Sequence, residues 1–186
     1  FDEAWLYDAR KFTDYTLKYF YDSESKFFNY TSDLDPPLIA RKRELGDNVI
    51  PGSNSAMARN LHVLGQYFPD TRYQELSDTM LFSMLGPILQ SGQTSFYSNW
   101  SILFLEKMQP TYEVAIVGND YLSMAAEMQK SFLPNTIFLG GSDEGTLALL
   151  KDKLQSGRTM IYVCQNKVCQ LPVSEPARAM DQLRYF

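Results

Sequence analysis

Arg41, Arg43, Glu44, Asp47, Asn48, Ser53 and Asn54 crowd into one short stretch of the chain. They flank a segment rich in helix and strand breakers, Leu45-Gly46-Asp47-Asn48-Val49-Ile50-Pro51-Gly52. Ser53 and Asn54 are both residues that cap helices. Cations, carboxylates and an amide beside a helix start make a polar pocket suited to sugar hydroxyls or an anion. Within it, Glu44 and Asp47 are the candidates for a general acid and base. Carboxylates on either side of a glycosidic bond stand about 5–9.5 Å apart, a span that three residues of chain can cover. The same pattern also fits a charged loop whose side chains only cap a helix.

The second candidate is Cys164 with Cys169. They flank a tight turn between two predicted strands, and facing hairpin positions bring Cα atoms close enough for a disulfide. Two reduced thiols, a structural or labile disulfide, and a redox pair all remain open. The spacing is not that of a Cys-x-x-Cys motif. Other chemistries are excluded by count. His62 is the single histidine. It lies about 140° round its helix from Met57, at about 100° per residue, which puts it on the flank away from the apolar stripe. With two cysteines and one distant histidine, no zinc site is expected, and no cofactor is expected. Ile116-Val117-Gly118-Asn119-Asp120 resembles the opening of a nucleotide-binding unit but lacks its further glycines. Gly140-Gly141-Ser142-Asp143-Glu144-Gly145 carries two acids that repel phosphate.

The whole chain has 186 residues, 17 basic and 22 acidic, for a formal charge of -5, which argues against a nucleic-acid partner. No apolar run approaches the ~20 residues that cross a bilayer. Few cysteines and no leader-like start make a cytoplasmic location the expectation. The opening Phe-Asp-Glu-Ala-Trp, without Met, reads as a piece of a longer protein. Sequons at Asn29 and Asn99 arise often by chance.

Two textures divide the chain at Gln109-Pro110-Thr111. Residues 1–110 read as helices with one polar interruption. The first helix runs from about Glu3 to Phe20, with Trp5, Ala9, Phe12, Thr16 and Phe20 in a stripe. Strands are predicted over Lys26–Thr31 and Leu38–Glu44. Further helices begin near Ser53, Thr71 and Thr94, and Gly86-Pro87 implies a kink or early stop in the second of these. Short links between them suggest antiparallel hairpins. Residues 111–186 alternate strand and helix: strands at Glu113–Val117, Thr136–Leu139, Arg158–Cys164 and Val168–Leu171, with helices over Asp120–Phe132, Glu144–Gln155 and Ser174–Tyr185. That order implies an α/β unit with a mostly parallel sheet and one antiparallel edge strand.

Three segments resemble one family. Glu44-Leu-Gly-Asp47-Asn-Val-Ile-Pro51-Gly-Ser53-Asn54-Ser55-Ala56-Met-Ala58-Arg-Asn60-Leu61 is similar to the D-x-A-x-P-S-G/A-N-S-x-A-A-x-x-L stretch of the thioredoxin-domain-containing, spermatogenesis-associated (YyaL-like) proteins. Glu113-Val-Ala-Ile-Val-Gly118 and Phe132-Leu-Pro134-Asn135 follow in order. Tyr162-Val-Cys164-Gln-Asn-Lys-Val-Cys169-Gln-Leu-Pro172-Val resembles the family's closing A-Y-V-C-x-x-x-x-C-x-x-P-V signature. Pro51-Gly52-Ser53-Asn54-Ser55 exchanges the family's Ser and Gly. The resemblance implies a C-terminal fragment: the last hairpins of an α/α toroid like that of six-hairpin glycosidases and sugar epimerases, over 1–110, then a small α/β domain over 111–186. The family's thioredoxin-like domain is not part of this chain.

Three functions follow as expectations. In the first, the intact protein binds or transforms a small carbohydrate, and Arg41–Asn54 form part of the wall. In the second, the chain is a non-catalytic scaffold or regulatory module. In the third, Cys164 and Cys169 do thiol redox work. A partial toroid bares apolar helix faces, so self-association is expected.

Overall fold

The computed structural model describes residues 1–36 and 39–183. Among them are six α-helices and two small sheets. The chain divides into two compact units: residues 4–65 with 69–105, and residues 1–3 and 66–68 with 106–186.

In the first unit, α1 spans Glu3–Phe20. A short ribbon follows, β1 (Tyr21–Asp22) paired antiparallel with β2 (Phe27–Phe28). No further strand occurs among the described residues before α2 (Ser53–Tyr67). The expected strand over Leu38–Glu44 is coil from residue 39 on, and Leu38 lies outside the described residues. α3 spans Thr71–Ser91; Asp70 caps its start by accepting the Arg72 N–H, and Gly92 closes it at φ 64°. Pro87 does not stop this helix. Met84 and Ile88, buried on either side of it, keep the turn packed. A 3-10 turn at Thr94–Tyr97 leads into α4 (Ser98–Met108). Tyr73, Met80, Leu81, Met84, Leu61, Trp100 and Leu103 are almost closed to solvent. Ser77 Oγ donates to the Ala58 carbonyl at 2.8 Å, which joins α3 to α2.

The expected arc of an α/α toroid is not what forms. A toroid requires consecutive helices joined by short turns in a repeating hairpin. Here residues 21–52 separate α1 from α2, and among the described helices of this unit only α2 and α3 are joined by a short turn. The periodicity of the helices was legible, but periodicity fixes which face is apolar, not how several helices are arranged around one another.

In the second unit, β3 (Tyr112–Val117) is buried throughout and forms the axis of a four-stranded sheet ordered β4-β3-β5-β6. After α5 (Tyr121–Met128), β4 (Thr136–Gly141) pairs parallel with β3. β5 (Met160–Gln165) and β6 (Val168–Cys169) then pair antiparallel, and α6 (Pro176–Gln182) closes the unit. Tyr185 and the end of the expected last helix lie outside the described residues. Val114, Ile116, Ile161, Val163, Ala125, Met128 and Ala179 form the core.

The sheet is thus mixed, and the expectation of a mostly parallel one is corrected. The expected helix over Glu144–Gln155 is only a 3-10 turn at Ala148–Leu150. Without a full crossover helix the chain re-enters at the end where β4 left, so β5 must run antiparallel.

Gly140 has φ 152°, and a Cβ there would meet the Ile116 carbonyl oxygen at 1.9 Å. Gly140→Ala is therefore expected to destabilise the chain by about 2–4 kcal/mol through backbone strain and displacement of β3. Chemical denaturation checks this, and an unchanged midpoint would show that the close approach is not required.

Candidate functional site

The Arg41–Asn54 stretch is brought together around the start of α2. Asp47 is buried and its carboxylate accepts three hydrogen bonds. Oδ1 takes the Gly52 N–H at 2.8 Å and the Ser55 hydroxyl at 2.6 Å. Oδ2 takes the Asn99 N–H at 2.8 Å. Glu44 Oε2 accepts the Ser53 N–H at 2.9 Å. The first turn of a helix has N–H groups without intrahelical partners, and these carboxylates satisfy them from outside. Gly52 is needed for this approach, because a Cβ there would lie 2.6 Å from the Gly46 carbonyl oxygen.

Asn54 is fully buried. Its side chain accepts the Phe28 N–H at 2.7 Å and donates to the carbonyls of Phe28 at 3.0 Å and Glu44 at 2.9 Å. The amide thus extends the β-ribbon by one backbone-like partner. Trp100 Nε1 donates to the Leu45 carbonyl at 2.7 Å, and its ring meets Phe27 edge-on. Arg41 pairs with Asp33 and with Thr31. Arg43 donates to Asn29 Oδ1 at 2.9 Å and pairs with Asp22. Ser25 and the Glu24 N–H, with Arg43 beyond them, hold the Asp22 carboxyl below the usual carboxylate range. Asn48 is exposed on the loop with Val49 and Ile50. Ser53 contributes its N–H. The structure therefore gathers Glu44, Asp47, Ser53 and Asn54 into one network and directs Arg41 and Arg43 to separate ion pairs.

His62 is not on an exposed flank. It is buried, with Nδ1 3.1 Å from Gln74 Oε1 on α3. α3 covers a second side of α2, which a single apolar stripe does not reveal. Among the described residues no cluster of three or more His, Cys, Asp or Glu side chains is placed to hold a metal ion.

Cys164 and Cys169 form a disulfide, with Cα atoms 3.8 Å apart. They face each other across β5 and β6, where Gln170 N–H donates to the Val163 carbonyl and leaves the cysteine pair without a direct backbone bond. Asn166 and Lys167 make the turn, at φ 51° and 65°. Two successive positive values match the twist of a two-residue hairpin. Cys164 is buried and Cys169 exposed.

A crevice of about 390 Å³ lies at the carboxyl ends of β3 and β4. Gly118, Asn119, Asp120, Ser142, Arg158 and Thr159 contribute to its wall. Asp120 precedes α5 without capping it through its side chain, and its N–H donates to Thr159 Oγ1 at 3.0 Å. Strand ends of α/β sheets are where ligands bind. Arg158 and Thr159 were not singled out by the sequence, because they come from the loop before β5, which carries no motif.

No family model matches the chain, and no curated protein matches it.

Three outcomes are expected. Asp47→Ala leaves the buried Gly52 N–H and the half-buried Asn99 N–H without their acceptor, while the Ser55 hydroxyl keeps the Gly52 carbonyl at 2.9 Å, and is expected to cost about 2–3 kcal/mol of stability in urea unfolding. Replacing both cysteines by serine removes a six-residue closed loop worth about 2 kcal/mol; alkylation before reduction is expected to label neither thiol in the native chain. Glu113, beside Cys164 in the sheet register, is raised above its ordinary value by burial, against the opposing Lys167 N–H bond and the Lys167 and Lys153 charges. The folded state then holds its proton more tightly than the unfolded state. That contribution is present at low pH and lost as pH rises through the raised value. Glu113→Gln is expected to raise Tm at neutral pH, with the gain vanishing near pH ~4.

Proposed function

We propose that this chain is the C-terminal part of a thioredoxin-domain-containing, YyaL-like protein and serves there as a non-catalytic structural module. The observation that carries the second part is the Asp47–Asn54 network. Groups that a sugar or an anion would have to engage are already bonded to the chain's own backbone. An acid or base must reach the proton it moves, and Asp47 is buried with three protein donors on its two oxygens. The carbohydrate reading has less support. The crevice at the ends of β3 and β4 offers Asn119, Asp120, Ser142 and Arg158 for hydroxyls, but no aromatic ring is among its lining residues.

A thiol redox role is the second reading, favoured by the disulfide on an edge hairpin with one sulfur at the surface. No described helix is long and apolar enough to cross a membrane. We carry a cytoplasmic location as part of this reading; there the pair would exchange with the dithiol pool.

The module reading is tested by calorimetric titration of the chain with a panel of monosaccharides and by the Glu44→Gln, Asp47→Asn double variant. No binding heat, with a loss of stability in the variant, is expected. Saturable heat that the variant abolishes while its fold is intact would restore the carbohydrate reading.

A further inference from the structure

β3 carries one charged residue. Glu113 lies on an interior strand of the sheet and is 6% exposed. Directly opposite residues of an antiparallel pair leave the same face, with Cβ atoms about 4.5–5.5 Å apart. Glu113 is the register partner of Cys164, and Cys164 that of Cys169. The carboxyl and the two sulfurs therefore form one row across β3, β5 and β6. The Glu113 carboxyl also accepts the Lys167 N–H, in the turn between the two cysteines. The other β3 side chains on this face, Ala115 and Val117, are apolar and buried, as is Ile137 beside Glu113 on β4.

The two sulfurs differ. Cys169 is exposed on the edge strand and open to an incoming thiolate, whereas Cys164 is buried beside Glu113. Thiolate attack breaks a disulfide by expelling the second sulfur as thiolate. Here expulsion puts a charge on a buried sulfur, which burial disfavours. A proton on the neighbouring carboxyl offsets that. Burial holds Glu113 above its ordinary value, against the Lys167 N–H and the Lys167 and Lys153 charges. Its proton is thus kept further toward neutral pH than that of an exposed carboxyl.

We propose, on the thiol redox reading above, that Glu113 is the proton partner of Cys164 in exchange of this disulfide with a dithiol. In reduction, one sulfur of the dithiol, as thiolate, bonds to Cys169 Sγ. The Sγ–Sγ bond breaks, its electron pair goes to Cys164 Sγ, and the Glu113 proton follows. The second sulfur of the dithiol, its proton lost to water, then displaces Cys169, which takes a proton from water. Glu113 regains its own from water. The dithiol leaves as a disulfide, two electrons poorer, and the protein holds two thiols. In oxidation the Glu113 carboxylate takes the Cys164 proton and so makes the thiolate that closes the bond to Cys169.

Reduction of the native chain by dithiothreitol, followed over pH and expressed per dithiothreitol thiolate, tests this. The wild-type rate is expected to fall as pH rises through the Glu113 value. Glu113→Gln is expected to be about tenfold slower at the acid end and to converge with the wild type as pH rises. Stabilisation by the same substitution has the opposite signature, since it grows with pH. With glutathione in place of the dithiol, alkylation and cleavage after Lys167 are expected to find glutathione on Cys169 and the alkyl group on Cys164. Coincident pH profiles, or glutathione on Cys164, overturn the role of Glu113 and leave the redox reading standing. A native chain that resists dithiothreitol until urea unfolds it overturns both.

Discussion

A single carboxylate holds the first unit's loop, α2 and α4 in one arrangement. Asp47 joins Gly52 ahead of α2, Ser55 within it and Asn99 at the start of α4. A buried charge is tolerated only where donors replace its lost water. Here the donors are two backbone N–H groups and a hydroxyl, and the orphan amides of a helix start would be nearly as costly without it. The aromatic packing follows from that anchor. With the loop fixed, the Leu45 carbonyl is in place for Trp100, and Trp100 meets Phe27 of the ribbon. Asn54 fastens the same ribbon from the other side.

This arrangement explains why the densest collection of chemically capable side chains is also the least available. Capping, ion pairing and backbone mimicry need the same groups as catalysis, and spacing cannot tell them apart. The crevice beside β3 has the opposite character. Its wall combines glycine, amide, hydroxyl, carboxylate and guanidinium groups drawn from three separate loops, and Asp120 and Arg158 are exposed.

Much of the fold was legible where local pattern and burial agree. The α1, α2 and α3 helices start where Glu3, Ser53 and Thr71 signal them, and the apolar run at Val114–Val117 is the most buried strand. The hairpin at Asn166-Lys167 was legible because turn chemistry is local. Legibility failed where the outcome depends on what lies across space. Glu144–Gln155 has leucines at helical spacing, yet the Glu144 carboxylate turns to the Leu154 N–H and closes a loop. His62 looked peripheral because α3 was not yet placed beside it. Spacing put Arg41 to Asn54 in one stretch, but only the bond partners show that Glu44, Asp47, Ser53 and Asn54 join one network while Arg41 and Arg43 go to Asp33 and Asp22.

Gly140 stands opposite Ile116 in the parallel pair, with no room for a side chain between the two backbones. That makes the position a key that fits one alignment of β4 only. Slipping the strand one way would drive Leu139 into the Ile116 carbonyl. Slipping it the other way would turn Ile137 and Leu139, which are buried as it stands, to the opposite face. The residue with no side chain thereby excludes one neighbouring alignment and the buried pair Ile137 and Leu139 the other, so the sheet's uniqueness comes partly from an absence of atoms.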